Sequence, residues 1–245
     1  MAGFDHILNW RLLSGSHPFP GPDGGTCINE AALVAAGLPY RAIRSSDECP
    51  PCFSRPLSAY ALGLNDAMPD SERHRLLAFV LRLSGSADTP AVEAERTAFL
   101  ALASLRTLLP PLLERAGFAD LAVRCAAAPD LAEALAAARA AAWLGGASAQ
   151  AASGKRAWLA GALAAAVSRT ATAAIRAAED PRCAAEIAEG AAAFAPGTWA
   201  RAVEILDAAL RIGRQAPDVD LFAARGRLDA TRSAARLAAR PAAHA

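Results

Sequence analysis

The chain has 245 residues with 25 basic and 24 acidic side chains, a net charge of +1, so it lacks the basic excess of a dedicated nucleic-acid binder. Its 54% hydrophobic content argues against disorder, but much of that count is alanine and only 6% is aromatic. Alanine buries little area and favours helix, which points to closely approaching helices and a core thin in large side chains. Lys155 is the only lysine, a bias that high-GC coding explains without a functional arginine preference. The N-terminus lacks a basic segment followed by an apolar one, and no uncharged stretch of about 18 residues is apolar enough to suggest a bilayer span. Five cysteines, an odd number, suit free or metal-bound thiols in a reducing compartment. A cytoplasmic protein is expected, with no membrane and no nucleic acid as partner.

In chain order, an apolar run (Ile7 to Leu13) leads into a Gly/Pro-rich loop. A helix over 26–36 is predicted, with Thr26 as N-cap and Gly37 with Pro39 as the stop. Residues 38–46 read as irregular and Asp47-Glu-Cys-Pro-Pro-Cys52 as a turn. Ser54 caps a helix over 56–68 with Pro56 in its first turn. Asp70 caps 71–83, and Thr89 caps 90–109.

Beyond Pro110-Pro111 the texture changes. A short helix, 112–116, ends at Gly117. Segments 120–127, 130–144 and 147–178 read as Ala-rich helices broken by Pro129 and by Gly145-Gly146. The alternative for 145–180 is a linker or one long exposed helix. Asp180-Pro181 starts a short helix. Thr198 caps an amphipathic one, with Val203, Leu206 and Leu210 inward and Ile205 a further candidate. A last helix covers 219–237. Trp143, Trp158 and Trp199 are expected as core anchors, and Cys125 and Cys183 as small buried residues. No stretch alternates with period two.

Three constellations could carry chemistry. Gly24-Gly-Thr-Cys27-Ile-Asn-Glu30 places a cysteine at a helix start, where the dipole favours a thiolate and glycines admit a ligand. A nucleophile there needs a base, and His17 is the nearest candidate. Cys49-Pro-Pro-Cys52 can hold a metal or exchange a disulfide, although the strand–turn–helix context of a redox motif is missing. Zinc takes four S, N or O ligands. Cys27, Cys49 and Cys52 supply three, His17 is the natural fourth, and Asp47 or Glu30 stands behind it. Asn65-Asp66 ends a helix, where a carboxylate opposes the dipole unless it caps, pairs or binds something. The competing reading makes each of these a core or turn residue.

The segments Gly24-Gly-Thr-Cys-Ile-Asn-Glu, Cys49-Pro-Pro-Cys-Phe-Ser-Arg-Pro-Leu57 and Leu64-Asn-Asp-Ala-Met-Pro-Asp70 resemble a group of bacterial proteins with no established activity. The stretch from Ala200 through Gln215 is similar to the tail of that group. The resemblance covers about residues 20–105 and 198–232 and implies no catalytic residues. A more distant set is similar at Cys27, Glu30, Cys52 and Asn65-Asp66 and has a histidine shortly before the cysteine. The corresponding place here is near Pro22, with His17 the nearest histidine.

The expectation is an all-α protein, an irregular helical bundle. A compact module over 1–110 carries the Cys/acidic cluster, an Ala-rich helical region covers 111–238, and 239–245 is a frayed tail. Two functions are expected in order. The first is a non-catalytic accessory protein contacting a protein partner, or itself, through helix faces. The second is a thiol- or metal-site protein, with zinc or iron on the N-terminal module. No complete catalytic set is present, and whether the chain is an enzyme stays open.

Overall fold

A computed structural model describes residues 10–16, 25–152, 157–215 and 220–238. The protein is all-α: among the described residues there are no β-strands, only two isolated bridges, Leu12 with Thr26 and Phe53 with Ser84. The helices are α1 (Ile28–Ala35), α2 (Arg55–Ala67), α3 (Asp70–Arg73), α4 (Pro90–Thr107), α5 (Leu109–Arg115), α6 (Ala119–Ala127), α7 (Leu131–Ala151), α8 (Trp158–Arg176), α9 (Pro181–Ala192), α10 (Thr198–Leu210) and α11 (Leu221–Ala238). They cluster into two compact units, one of residues 1–89 with 213–245 and one of residues 90–212. The expected change of texture at Pro110-Pro111 falls inside the second unit, where both prolines occupy the first turn of α5.

In the first unit, α1 is entirely buried. Its end follows the expected stop signal. Gly37, at φ +77°, lets its own N–H reach the Val34 carbonyl and the Leu38 N–H reach that of Leu33, a Schellman closure. Arg227 of α11 donates to the Ala35 carbonyl at 2.7 Å. The N-cap is Cys27 rather than Thr26. Thr26 lies one residue too early because its backbone pairs with Arg11 and Leu13, and its hydroxyl accepts from the Trp10 indole at 3.2 Å. Ser54 caps α2 as expected. The expected helix over 71–83 is only α3 followed by a 3₁₀ turn over His74–Phe79, and Asp70 is the first residue of α3 and not its cap, which is Pro69.

The second unit is built on alanine. α7 and α8 pack against each other, and α9 packs on α8. Gly145-Gly146 does not break α7, which runs on to Ala151. A Cβ on Gly145 would lie 2.8 Å from the Ala164 carbonyl oxygen and 2.9 Å from the Ser168 nitrogen. Glycine here serves the close approach of α8, and the flanking alanines keep the helix. The 145–180 segment is thus neither linker nor lone helix: most of it pairs with α7 or α9 as α8. α8 is a described helix long and apolar enough, by length and composition, to cross a membrane, although its small residues pack inside this unit. Thr198 opens α10 rather than capping it, and the preceding Gly197 takes the left-handed turn at φ +78°.

Trp143 and Trp158 do not anchor the core. They are 75% and 73% exposed, and Trp199 is only half-buried. The large buried group of this unit is instead Arg96, fully enclosed, whose Nε and Nη2 donate to the Ile212 carbonyl at 3.1 and 2.7 Å while Nη1 meets Glu93 at 3.1 Å.

Two outcomes follow. Gly145→Ala should destabilise by about 1–3 kcal/mol through overpacking, whereas Gly146→Ala, whose nearest neighbour is the movable Ser168 hydroxyl at 3.4 Å, should be neutral or stabilise by up to about 1 kcal/mol. Arg96→Lys, which keeps the charge but cannot fork to Ile212 and Glu93 together, should cost about 1–3 kcal/mol. Urea midpoints of the three variants measure both.

Candidate functional site

The residues singled out in the sequence meet around the start of α1. Cys27 and Glu30 form a capping box. The Glu30 N–H points at Cys27 Sγ at 3.5 Å, and Glu30 Oε2 accepts from the Cys27 N–H at 2.9 Å. Glu30 is wholly buried. Its second oxygen accepts from the Ile43 N–H at 3.0 Å, and the Tyr40 hydroxyl is a further partner. A buried carboxyl group needs donors for its oxygens, and here they come from two backbone amides and a phenol. Burial first, then the neighbouring Glu30, raise the Tyr40 pKa.

The same causes act on Cys27. Burial is the largest and the adjacent Glu30 charge the next, and together they hold the thiol well above its ordinary range. The backbone hydrogen bonds of the helix start pull the other way and lose. The dipole that was expected to favour a thiolate is thus outweighed by desolvation. Of the glycines before it, Gly25 admits no ligand: a Cβ there would meet the Leu13 side chain at 2.6 Å.

Asn65 and Asp66 finish the cluster. Asn65, fully buried, accepts from the Ile28 N–H at 3.2 Å and donates to the Leu13 carbonyl at 2.8 Å. Asp66 Oδ1 accepts from the Gly15 N–H at 2.8 Å, and the Asp66 carbonyl accepts from the Ser14 hydroxyl at 3.1 Å. The carboxylate at the end of α2 is therefore occupied by the incoming 13–15 segment. Arg73, almost entirely buried, covers the same helix end by donating to the Asn65 carbonyl at 2.7 Å and to that of Met68.

Cys49 and Cys52 sit in a separate arrangement. Arg55 donates to the Cys49 carbonyl at 2.6 Å, the Ala87 N–H donates to that of Cys52 at 3.1 Å, and Ser86 Oγ accepts from the Ser54 N–H at 3.0 Å. Cys49 is buried and Cys52 half-buried. Burial raises the Cys49 pKa against the opposing pull of Ser58, Arg55 and Arg41. Asp47 is exposed on a 3₁₀ turn, its N–H held by the Ser45 hydroxyl at 3.2 Å. His17 lies outside the described residues. Among the described residues no three His, Cys, Asp or Glu side chains are grouped so as to hold a metal ion. All five cysteines are free, and burial raises Cys125 and Cys183 to about 11.

The cluster that the sequence brings together is thus Cys27, Glu30, Asn65 and Asp66, and the hydrogen bonds described above for their side chains serve the protein's own chain. Tyr40, Ile43 and Arg73 complete it and were not singled out. Arg73 carried a faint signal, a basic residue one turn after a helix stop; the Ile43 amide carried none. No family model matches this sequence, and neither a curated protein nor a solved structure matches it.

Because folding raises the Cys27 pKa, the folded state keeps a proton that the unfolded chain releases. This contribution is complete below the ordinary thiol value, near 9, and is lost as pH rises towards the folded-state value. Cys27→Ser keeps an N-cap and removes the titration. Its stability should fall less steeply than wild type above about pH 9, by up to about 1.4 kcal/mol per pH unit, in urea titrations between pH 8 and 10.5. Equal slopes would show that the buried thiol is not held neutral.

Proposed function

We propose that this chain is a non-catalytic accessory protein that binds a protein partner through exposed helix faces of its α7/α8 hairpin. The observation that carries the reading is the exposure of four large apolar side chains on these two helices, Trp143 and Leu144 on α7 and Trp158 and Leu159 on α8. Buried tryptophans dominate the energetics of interfaces, and two of them open to water in a chain with only four point to a surface that is covered in use.

Charge selects the partner. From Ala134 to Ala178 the sequence has five basic residues and no acidic one, while the rest of the chain has 20 basic against 24 acidic, or −4. A segment of that sign repels a second copy of itself and complements an acidic partner. The partner is thus a protein with an acidic, apolar-lined surface. The Cys27 cluster serves as the internal tie of the first unit, with its thiol protonated. Free cysteines, four of them buried, suit a reducing compartment, and we place the protein in the cytoplasm.

Trp143→Ser/Trp158→Ser tests this reading. Both side chains are exposed, so the double variant should match wild type in circular dichroism and thermal midpoint. An acidic protein that co-purifies with tagged wild type at fixed stoichiometry should be depleted at least tenfold with the variant, and its complex with purified wild type should weaken as salt rises. Identical co-purifying sets from both proteins would remove these helix faces as the contact surface.

A further inference from the structure

We propose that α11 is a strap: it lifts from α1 as a unit while the rest of the fold holds, so the chain has a closed form that hides α1 and an open form that presents it. This device is independent of the α7/α8 surface and goes beyond the accessory role. Both helices belong to the same compact unit. α1 is wholly buried, and among the helices its most extensive contact is with α11.

The helix that covers α1 is lightly held. Among the described side chains of α11, only Ala224 and Leu228 are buried. A helix fixed in a core turns its large apolar groups inward. Here the largest of them, Phe222, is 83% exposed, and Leu237 at the other end is 67% exposed. One leucine and one alanine therefore supply the buried apolar contact of an 18-residue helix. Elements with so few buried apolar contacts open far below the free energy of global unfolding.

The tie to the end of α1 is Arg227, which donates to the Ala35 carbonyl at 2.7 Å. Gly37 leaves the space its guanidinium occupies, since a Cβ there would stand 3.2 Å from Arg227 Cζ. Other bonds of α11 lie within the helix and its cap. Asp220 accepts from the Phe222 and Ala223 N–H groups at 2.9 and 3.3 Å, and Arg225 pairs with Asp229 at 3.5 Å. The Thr231 hydroxyl donates to the Arg227 carbonyl at 2.9 Å. These local bonds do not depend on α1, so α11 leaves its seat by breaking the Arg227 bond and uncovering Ala224 and Leu228. Its departure returns the Ala35 carbonyl to water and opens the last turn of α1 as a surface.

Native-state hydrogen exchange of the full chain tests the strap. In wild type the α11 amides should exchange about a hundredfold faster than those of α2, at a rate that low urea leaves unchanged, because a local opening exposes little surface. Arg227→Gln should speed α11 exchange about tenfold through loss of a charged hydrogen bond. Phe222→Ser, at an exposed position, should leave the rate as it is. Lifting is separated from fraying by the thiol introduced by Ala224→Cys, which should react with N-ethylmaleimide well ahead of the buried Cys125, again without dependence on low urea. Exchange of α11 in step with α2 and with the same urea dependence would overturn the proposal, as would a rate unmoved by Arg227→Gln. A thiol at position 224 as slow as Cys125 would also overturn it, since α11 would then fray without leaving α1.

Discussion

A chain cut into many short helices has many helix ends, and each end exposes carbonyl groups that the helix cannot satisfy. In this protein arginines satisfy them. Arg227 reaches the end of α1, Arg73 the end of α2, Arg106 the Ala128 carbonyl after α6 at 2.8 Å, and Arg96 the Ile212 carbonyl after α10. A guanidinium suits this work because its planar fork can donate to one oxygen through two nitrogens, or to two oxygens at once, while its stem packs along apolar surface. An ammonium group offers less. The near-absence of lysine, which coding bias explains in the sequence, has a structural use in the folded protein.

Alanine sets the second constraint. A helix faced with alanine gains little from burial unless its neighbour comes close enough for backbones to touch. Gly145 marks where α8 makes such an approach to α7, and Gly190 leaves room on α9 for the Thr170 side chain of α8. Packing of this kind leaves no room for indole rings between helices, so the tryptophans that would anchor an ordinary bundle are displaced outward. The exposure of Trp143 and Trp158 and the tightness of the α7/α8 seam have the same cause.

The helical class, the helix stop at Gly37 and the cap at Ser54 were legible because each depends on a local rule. Caps were misplaced by one residue at Thr26 and Thr198, where a long-range pairing or a left-handed glycine moved the boundary. Gly145-Gly146 read as a break because the sequence does not show that another helix passes within contact of it. For the cluster at Cys27, the sequence revealed the participants but not the balance between them. A cysteine at a helix start can be ionised or neutral, and its own burial, with the Glu30 charge beside it, decides which. Tyr40 and Ile43 were not legible, since a backbone amide 13 residues from Glu30 carries no side-chain signature.

The bond from Arg227 to Ala35 spans 192 positions of sequence. Residues 90–212 are interposed within a unit whose two parts flank them. During synthesis the ribosome therefore delivers the opening segment long before the strand of chain that seals it, and the interposed unit, contiguous and rich in local contacts, is complete first. The earliest part of the polypeptide waits for the donor of its Ala35 carbonyl until α11 has emerged.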